Sequence, residues 1–254
     1  MSHELTLYAL AGLAALIAGI SKGGFGGGVG FVATPLLAVT FAPAQAAAVM
    51  LPVLILIDQV GIFAYWRQWR WALVWPVLIA AAVGIALGVA AFGAVDPDLL
   101  RIGLGVIAIS FLIFQIARAR GWTPPSGGRR GARAAIWGAT CGFTSTISHA
   151  GGPPVTIYLL GEQVGKTVFQ ASTVLIFWSV NLMKLGPYAA VGVFSGEPLL
   201  LSLAMAPAAI LGVLIGVWAH KRAPEGVYLK AMSVLLAATG AKLLWDGATG
   251  LLGG

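Results

Sequence analysis

The sequence predicts an all-α polytopic membrane protein with two inverted-topology repeats, each a broken helical hairpin plus three long transmembrane helices. Of 254 residues, 59% are hydrophobic and only 9% are charged, with a mean hydropathy of +0.94. A water-soluble domain of this composition would expose large apolar patches and aggregate. Several apolar stretches, such as residues 44–65 and 71–93, are long enough to cross a bilayer as helices. The order of short and long segments recurs after about half of the chain.

The first repeat covers residues 1–117 and begins with two short apolar segments. Glycine, proline and charged clusters separate its predicted helices. The first segment follows Glu4 rather than a basic leader and runs into glycines instead of a cleavage site, so we expect it in the mature fold. The predicted helices of this half cover residues 5–20, 29–41, 44–65, 71–93 and 98–117.

An arginine-rich linker, residues 118–133, precedes the second repeat, residues 134–254. The linker contains five arginines, two prolines and no apolar run. The predicted helices of the second half cover residues 134–148, 153–161, 167–194, 199–219 and 226–246. Individual residues recur between the halves at a nearly constant separation. The matches are Gln45 with Gln170, Gly61 with Gly186, Gly27 and Gly28 with Gly151 and Gly152, and Gly84 and Gly88 with Gly212 and Gly216.

Basic residues predict the orientation in the membrane. Because cytoplasmic loops are rich in lysine and arginine, we expect the arginine-rich linker and the other basic loops in the cytoplasm. The other basic loops carry Arg67 and Arg70, Lys166, and Lys221 and Arg222, whereas Asp96, Asp98 and Glu197 mark loops on the opposite side. Each half has an odd number of crossings. The second half is therefore predicted to be inverted, with both termini periplasmic.

Each half also contains one predicted break in its helical hairpin. The first break spans residues 20–30, where six glycines follow Lys22, and the second spans residues 144–154, which end in Pro153 and Pro154. Irregular backbone survives in a membrane only where it is buried in protein or lines a cavity, so the breaks should face each other inside the bundle. Paired breaks of this kind are the best sequence indicator of a transporter's substrate site.

The amides that a break exposes favour an anionic ligand, and glycine lets such a ligand approach closely. We interpret the two breaks as an anion cradle. Alternatively, the glycines only permit tight helix packing. Hydroxyls at Thr144, Ser145 and Thr146 either bind an anion or bond carbonyls that the break frees. The candidate substrate-binding residues at the breaks are Lys22, Gly23, Gly24, Gly26, Gly27, Gly28, Ser148, His149, Gly151, Gly152 and Pro153.

Ionisable residues within the membrane are costly and usually functional, which singles out Lys22, Asp58, His149 and Lys184. Two lysines against one aspartate leave a surplus positive charge in the core, which suits a monoanion or partly neutralises a dianion. Alternatively, Asp58 pairs with one lysine to hold helices together. His149 either carries a coupling proton or only bonds the broken backbone. Lys184 joins the candidate substrate-binding residues.

Polar residues on the long helices complete the set of candidates. Gln45 and Gln170 begin the third helix of each half and either cap helices or line the substrate site. Asn181 and Trp178 are weaker candidates, because a single such residue on a membrane helix more often mediates packing. Cys141 is interpreted as a small packing residue.

Two segments carry a resemblance to a known family. They are SKGGFGGGVGFVATPLL at residues 21–37 and SHAGGPPVTIYLL at residues 148–160, each followed by a long helix. The chain resembles the sulfite exporter TauE/SafE family, also called the toluene-sulfonate uptake permease family, over nearly its whole length. The resemblance implies a bacterial inner-membrane carrier of sulfur-containing anions, with residues 22–28 and 148–153 as its site. Prolines replace Val29 and Gly30 in the second segment, which argues against strict two-fold use of the breaks.

The sequence thus predicts a secondary transporter that moves a small anion, most simply a sulfur oxyanion or organosulfonate such as sulfite or sulfoacetate, by alternating access. An anion channel of the same fold is one alternative, and saturable counter-flow would favour the carrier. An intramembrane serine hydrolase that uses His149 is another, and covalent labelling by a fluorophosphonate would favour it. Expected partners are the anion and the lipid bilayer. Proton or sodium coupling and a homo-oligomer are left open.

Other classes of function are not expected. The net charge of +7 is dispersed among loops rather than gathered on a soluble domain, which argues against nucleic acid. A single cysteine allows neither an intrachain disulfide nor a thiolate metal cluster. The segment GFGGGVG lacks the Lys-Ser/Thr pair of a phosphate-binding loop, so we expect no ATP coupling, no cofactor and no metal.

Overall fold

The fold is all-helical in the part of the chain that the computed structural model describes, which is residues 2–25, 33–38, 41, 43–92, 96–122, 129–190, 196–222, 237 and 241–252. Residues 241–252 are helical as well. The other helices are α1 (Ser2–Gly24), α2 (Ala33–Ala38), α3 (Pro43–Ala64), α4 (Trp71–Phe92), α5 (Pro97–Ala119), α6 (Arg130–Ser148), α7 (Gly152–Gly161), α8 (Lys166–Ala190) and α9 (Gly196–Arg222).

Helices α3 to α9 begin and end within a few residues of the predicted bounds. Local signals explain several ends. Asp96, for example, accepts a hydrogen bond from the backbone N–H of Asp98 at 2.7 Å, and Pro97 stands in the first turn of α5. The last predicted helix, residues 226–246, lies mostly outside the described residues, and the described helix there extends to residue 252.

In the described part of the chain, four helices are long and apolar enough to cross a membrane. The candidate spans are Gln45–Ala64, Trp71–Ala91, Lys166–Ala190 and Leu199–Arg222, and Tyr8–Gly24 of α1 forms a shorter apolar helix. Large apolar side chains are exposed on the outer faces of these helices, as at Phe63, Ile79 and Leu203. Such faces suit lipid rather than water. The chain is therefore a multi-pass membrane protein, as the composition predicts.

Helix α1 continues further than predicted, into the span of the first predicted break. Residues 20–24 continue the helix of α1 to Gly24, and Gly26 to Gly30 lie outside the described residues. The prediction of irregular backbone at residues 20–24 was therefore wrong. Gly23 and Gly24 pack so closely on α9 that an added Cβ at Gly23 would lie 3.0 Å from the Cα of Val213. Tertiary packing thus outweighs the low helix propensity of glycine.

Glycines line two close helix crossings that have the same form. Helix α1 packs along α9, where Gly212 and Gly216 lie against backbone atoms of α1. Helix α6 packs along α4, where Gly84 and Gly88 lie against α6. One apolar cluster joins α1, α2 and α3 to α9, and a second joins α6, α7 and α8 chiefly to α4. Each cluster therefore combines helices from both halves of the sequence.

Gly84→Ala is expected to lower the free energy of unfolding by about 1 to 3 kcal/mol, the usual cost of overpacking. An added Cβ would lie 2.8 Å from the carbonyl carbon of Ala139 and 2.8 Å from the backbone nitrogen of Phe143. Gly186→Ala is the matched control, because a Cβ there meets nothing within 4 Å. Thermal unfolding in detergent, followed by tryptophan fluorescence, should separate the two variants. Equal stability would contradict the close α4–α6 crossing.

The basic loops gather at one end of the bundle. Lys166, at the start of α8, donates a hydrogen bond to the carbonyl oxygen of His220 near the end of α9 at 2.6 Å. The backbone N–H of Arg70, between α3 and α4, donates to the Ser172 hydroxyl at 3.3 Å, and the rings of Tyr65 and His220 meet edge to face at 5.6 Å. We call this side, where α3 and α9 end and α8 begins, the basic end. Helices α3 and α9 both start at the opposite end.

Candidate functional site

Helices α6 and α7 form a hairpin whose open ends are joined by ion pairs. Glu162, just after α7, accepts hydrogen bonds from Arg130 at 2.8 Å and from Arg133, both near the start of α6. The carboxylate is nearly buried, with a side-chain exposure of 4%. The tip of the hairpin, residues 149–151, lies between α6 and α7. The arginines thus fix the base of a hairpin whose tip lies inside the protein.

The tip is a compact turn centred on His149. Its backbone is left-handed (φ 54°, ψ 20°), a conformation that histidine tolerates better than most residues. Its N–H donates to the carbonyl oxygen of Ser145 at 3.0 Å, and the N–H of Ala150 donates to that of Thr144 at 3.3 Å, which satisfies two carbonyls at the end of α6. Gly151 is tightly enclosed, because an added Cβ would lie 2.9 Å from the sulfur of Cys141. Cys141 is fully buried and packs there, as predicted.

The second break is shorter than the predicted span of residues 144–154. Residues 144–148 belong to α6, and Pro153 and Pro154 stand in the first turn of α7. The predicted interruption is therefore present but limited to residues 149–151, and the helix bounds predicted at residues 148 and 153 are confirmed within one residue. Amides in the first turn of a helix have no partner within the helix, so a proline removes no bond there and its fixed φ favours helix initiation.

The last carbonyl groups of α1 are bound by side chains from three other parts of the chain. Gln170 of α8, Tyr65 after α3 and His220 of α9 lie at 2.7, 2.8 and 2.7 Å from the successive carbonyl oxygens of residues 22–24. Because a carbonyl oxygen only accepts, each of these side chains donates. Helix α1 thus ends in a set of donors that compensates its unpaired carbonyls.

Lys22 forms a buried ion pair with Asp58 of α3. Its Nζ lies 2.6 Å from Oδ1 and donates a hydrogen bond to Oδ2 at 2.8 Å. Asn181 of α8 donates to the same Oδ2 at 2.6 Å, and the ring centroid of Phe177 lies 4.8 Å from Nζ. The pair therefore joins α1, α3 and α8, and the charge of Lys22 is neutralised.

Lys184 lies one helical turn beyond Asn181 and is completely buried. Its Nζ donates to the carbonyl oxygen of Ser145 at 3.0 Å, to the hydroxyl of the same residue at 3.0 Å, and to Nδ1 of His149 at 2.7 Å. All three ammonium hydrogens therefore have neutral acceptors. Among the described residues, Lys184 forms no ion pair.

His149 connects Lys184 to the start of α3. Its Nε2 lies 2.9 Å from the carbonyl oxygen of Ala47, and because that oxygen only accepts, Nε2 carries a hydrogen. The other ring nitrogen, Nδ1, then accepts from Lys184. The ring is also packed edge to face on Tyr188, with centroids 6.2 Å apart. The contacts thus assign a neutral imidazole with its hydrogen on Nε2.

These buried side chains form two hydrogen-bonded groups, Lys22 with Asp58 and Asn181, and Lys184 with Ser145 and His149, which adjoin on successive turns of α8. Lys184 lies about 18 Å along α8 from Ser172, which contacts the loop at the basic end, and about 9 Å before Ala190. Among these buried side chains, the charges of Lys22 and Asp58 cancel, and the surplus positive charge is on Lys184. We define the polar chain as Lys22, Asp58, Asn181, Lys184, Ser145 and His149.

The other predicted site residues are placed as follows. Gln170 of α8 is buried against the end of α1. Gln45, which matches Gln170 in the sequence repeat, is exposed at the start of α3. Gly151 and Gly152 are buried at the tip, and Pro153 is partly buried beside them. Thr146 bonds the carbonyl of Gly142 at 2.8 Å, which fits the alternative interpretation of the hydroxyls. The residues whose structure or side chain lies outside the description are Gly26, Gly27, Gly28 and Ser148.

Sequence reasoning underrated some members of the site. The sequence favoured a packing role for Asn181, whereas its side chain donates a hydrogen bond to Asp58. Tyr188 donates to the carbonyl oxygen of Thr146, and the carbonyl of Ala47 accepts from His149. Asn181 could have been found from its spacing, because it precedes Lys184 by one turn and so shares its helix face. A backbone carbonyl leaves no comparable signal in a sequence.

Comparison with known proteins identifies the family. A search of curated proteins and a search of solved structures found no match. The family model described as "Sulfite exporter TauE/SafE" matches residues 11–243, which includes α1 to α9 apart from the first residues of α1. This match covers nearly the whole chain and agrees with the resemblance found at the two glycine-rich segments. The chain belongs to the sulfite exporter TauE/SafE family, a family of membrane transporters for sulfur-containing anions.

Proposed function

We propose that the protein is a secondary transporter that moves a small sulfur oxyanion or organosulfonate across the bacterial inner membrane by alternating access. The observation that carries this proposal is Lys184, a fully buried cation without a carboxylate partner among the described residues, beside a helix break. An uncompensated charge in the membrane interior is expensive and is usually retained for function. The negative charge of a bound anion would compensate it.

The second break supplies the remaining groups of the proposed site. Lys184 would donate to an oxygen of the anion, with the Ser145 hydroxyl as a second donor. Gly151 lies in the tip and Gly152 begins α7; an added Cβ at Gly151 would lie 3.2 Å from the Cβ of Ser145, so a bulkier side chain would not fit there. We propose that Lys22 and Gln170 hold the end of α1 rather than touch the anion, because both already have partners in α3 and α1.

The reciprocal packing of the helices supports two inverted repeats that rock against each other. Under the repeat, α1 corresponds to α6 and α4 to α9. The α1–α9 and α4–α6 crossings would then be equivalent contacts, each between one half and the other. The end of α1 contacts the basic end through His220, whereas the end of α6 contacts the start of α3. An inverted repeat requires that the helices leading into the two breaks, α1 and α6, point toward opposite ends of the bundle. We place the basic end in the cytoplasm and both termini in the periplasm.

Transport by purified protein in liposomes tests this function. We expect saturable uptake of sulfite or sulfoacetate that excess unlabelled substrate competes with, little uptake of chloride, and counter-flow when the liposomes are preloaded. Counter-flow requires that one site alternates between the two sides, so a conductance that does not saturate would favour an anion channel of the same fold. Absence of flux and binding for every sulfur-containing anion would contradict the proposed function.

A further inference from the structure

His149 holds its two ring nitrogens in different roles, and one of them depends on Lys184. Nε2 donates to the Ala47 carbonyl oxygen, while Nδ1 receives a hydrogen from the Lys184 ammonium at 2.7 Å. Ser145 is less dependent on Lys184, because its carbonyl oxygen also accepts the backbone N–H of His149 at 3.0 Å. Nδ1 of His149 is therefore the acceptor that loses most when Lys184 turns to another partner.

An anion that binds Lys184 would compete for the same ammonium hydrogens. If Nζ turns toward the anion, the buried Nδ1 keeps its lone pair but loses its protein donor, which is unfavourable. A proton on Nδ1 removes this defect, because the imidazolium can then donate to the anion itself. The proton comes from bulk water on the side to which the site is open and returns to water on the other side.

We propose that anion binding at Lys184 places a proton on Nδ1 of His149, so that the carrier moves one proton together with each anion. This inference rests on the proposed function and names its coupling ion. Linkage makes the effect reciprocal: the anion promotes protonation of His149, and the proton strengthens anion binding.

The surroundings of His149 leave it as the acceptor for this proton. Helix α8 presents Lys184 and Tyr188, and neither gains a proton on anion binding. Asp58 of α3, the carboxylate of the polar chain, is already paired with Lys22 of α1. On the same hairpin, Cys141 is fully buried and packs against Gly151. None of these groups offers a free basic site next to the anion.

Calorimetry with sulfoacetate tests the inference directly, because the charge of this anion is constant from about pH 6 to pH 8, where histidine titrates. Sulfite is unsuitable because it titrates in that range. Binding to the full-length protein in detergent is measured in two buffers that differ in their heat of ionisation. We expect up to one proton to be taken up per anion, and an affinity that rises by up to about tenfold for each pH unit lowered. Binding without proton uptake would overturn the inference and leave the proposed function standing.

His149→Asn is the matched variant. Asparagine adopts the left-handed backbone of this position readily, and its side-chain oxygen lies near the place of Nδ1, so it can still accept from Lys184. It does not take up a proton. We expect sulfoacetate binding that no longer depends on pH and releases the same heat in both buffers. His149→Gln, which reaches toward the Ala47 carbonyl, serves as a second variant should the first fail to fold.

His220→Gln controls for the other described histidine with a known partner. It lies at the basic end, where it donates to the carbonyl oxygen of Gly24. Its variant should keep the pH dependence of wild type. If His220→Gln removes the proton uptake and His149→Asn keeps it, the proton is bound at the basic end and the inference is wrong. If no sulfur-containing anion binds to wild type, the proposed function itself fails.

Discussion

Asp58→Asn is expected to lower the free energy of unfolding by about 3 to 5 kcal/mol, the usual cost of breaking a buried ion pair by removing one partner. Asp58 is 1% exposed and receives hydrogen bonds from both Lys22 and Asn181. An amide at this position can still accept one of these bonds, but it leaves the Lys22 ammonium buried without a counter-charge. Unfolding in detergent, followed by tryptophan fluorescence or by loss of the monodisperse peak on gel filtration, measures the change.

The double variant Lys22→Met/Asp58→Asn isolates the ion pair from other effects of the aspartate. Removing both charges should recover most of the lost stability, because no unpaired charge remains. Asp246→Asn is the control, since Asp246 pairs with Lys242 on an exposed helix face and should change stability by less than about 1 kcal/mol. If the double variant were as unstable as Asp58→Asn, the cost would come from lost hydrogen bonds and not from the charge of Lys22.

The long helices were predictable because a membrane imposes a simple pattern on them. Each must be apolar over about 20 residues, and helices end where charged, glycine or proline residues allow. The bounds of α3 and α4 follow from this pattern. The end of α1 does not follow from this pattern. Glycine favours a break in a helix that has no neighbour, but it permits close contact where a second helix with glycines packs against it. Gly23 cannot be assigned to one of these roles until its neighbour Val213 is known.

The set of buried ionisable residues could be predicted from the sequence, but the partner of each could not. Composition identifies Lys22, Asp58, His149 and Lys184 as the costly residues of the membrane core, and the structure brings all of them into the polar chain. Which lysine takes the carboxylate depends on how α1, α3 and α8 cross, which no spacing along one helix reveals. The sequence favoured Lys22 as the residue that meets the substrate. The contact of Lys22 with Asp58 shifts our proposal to Lys184.

Lys184→Met should weaken sulfoacetate or sulfite binding by about 2 to 5 kcal/mol, or roughly thirtyfold to several thousandfold, as expected when one partner of a buried charged hydrogen bond is lost. The same variant should unfold near the wild-type temperature, because removing the buried charge offsets the donor that Nδ1 of His149 loses. Methionine fills a similar volume without a charge to bury, and the carbonyl oxygen of Ser145 keeps its bond from the N–H of His149. Calorimetric binding and thermal unfolding of the same preparation measure both effects.

The combination of weaker binding and unchanged stability is what separates a substrate residue from a structural one. Lys166→Met is the control on the same helix, because Lys166 is exposed at the basic end and donates only to a backbone carbonyl. It should bind the anion as wild type does. If Lys184→Met unfolds early, as Asp58→Asn is expected to do, the lysine belongs to the scaffold. If Lys184→Met binds normally and the Lys22→Met/Asp58→Asn variant does not, the anion is held at the first break instead.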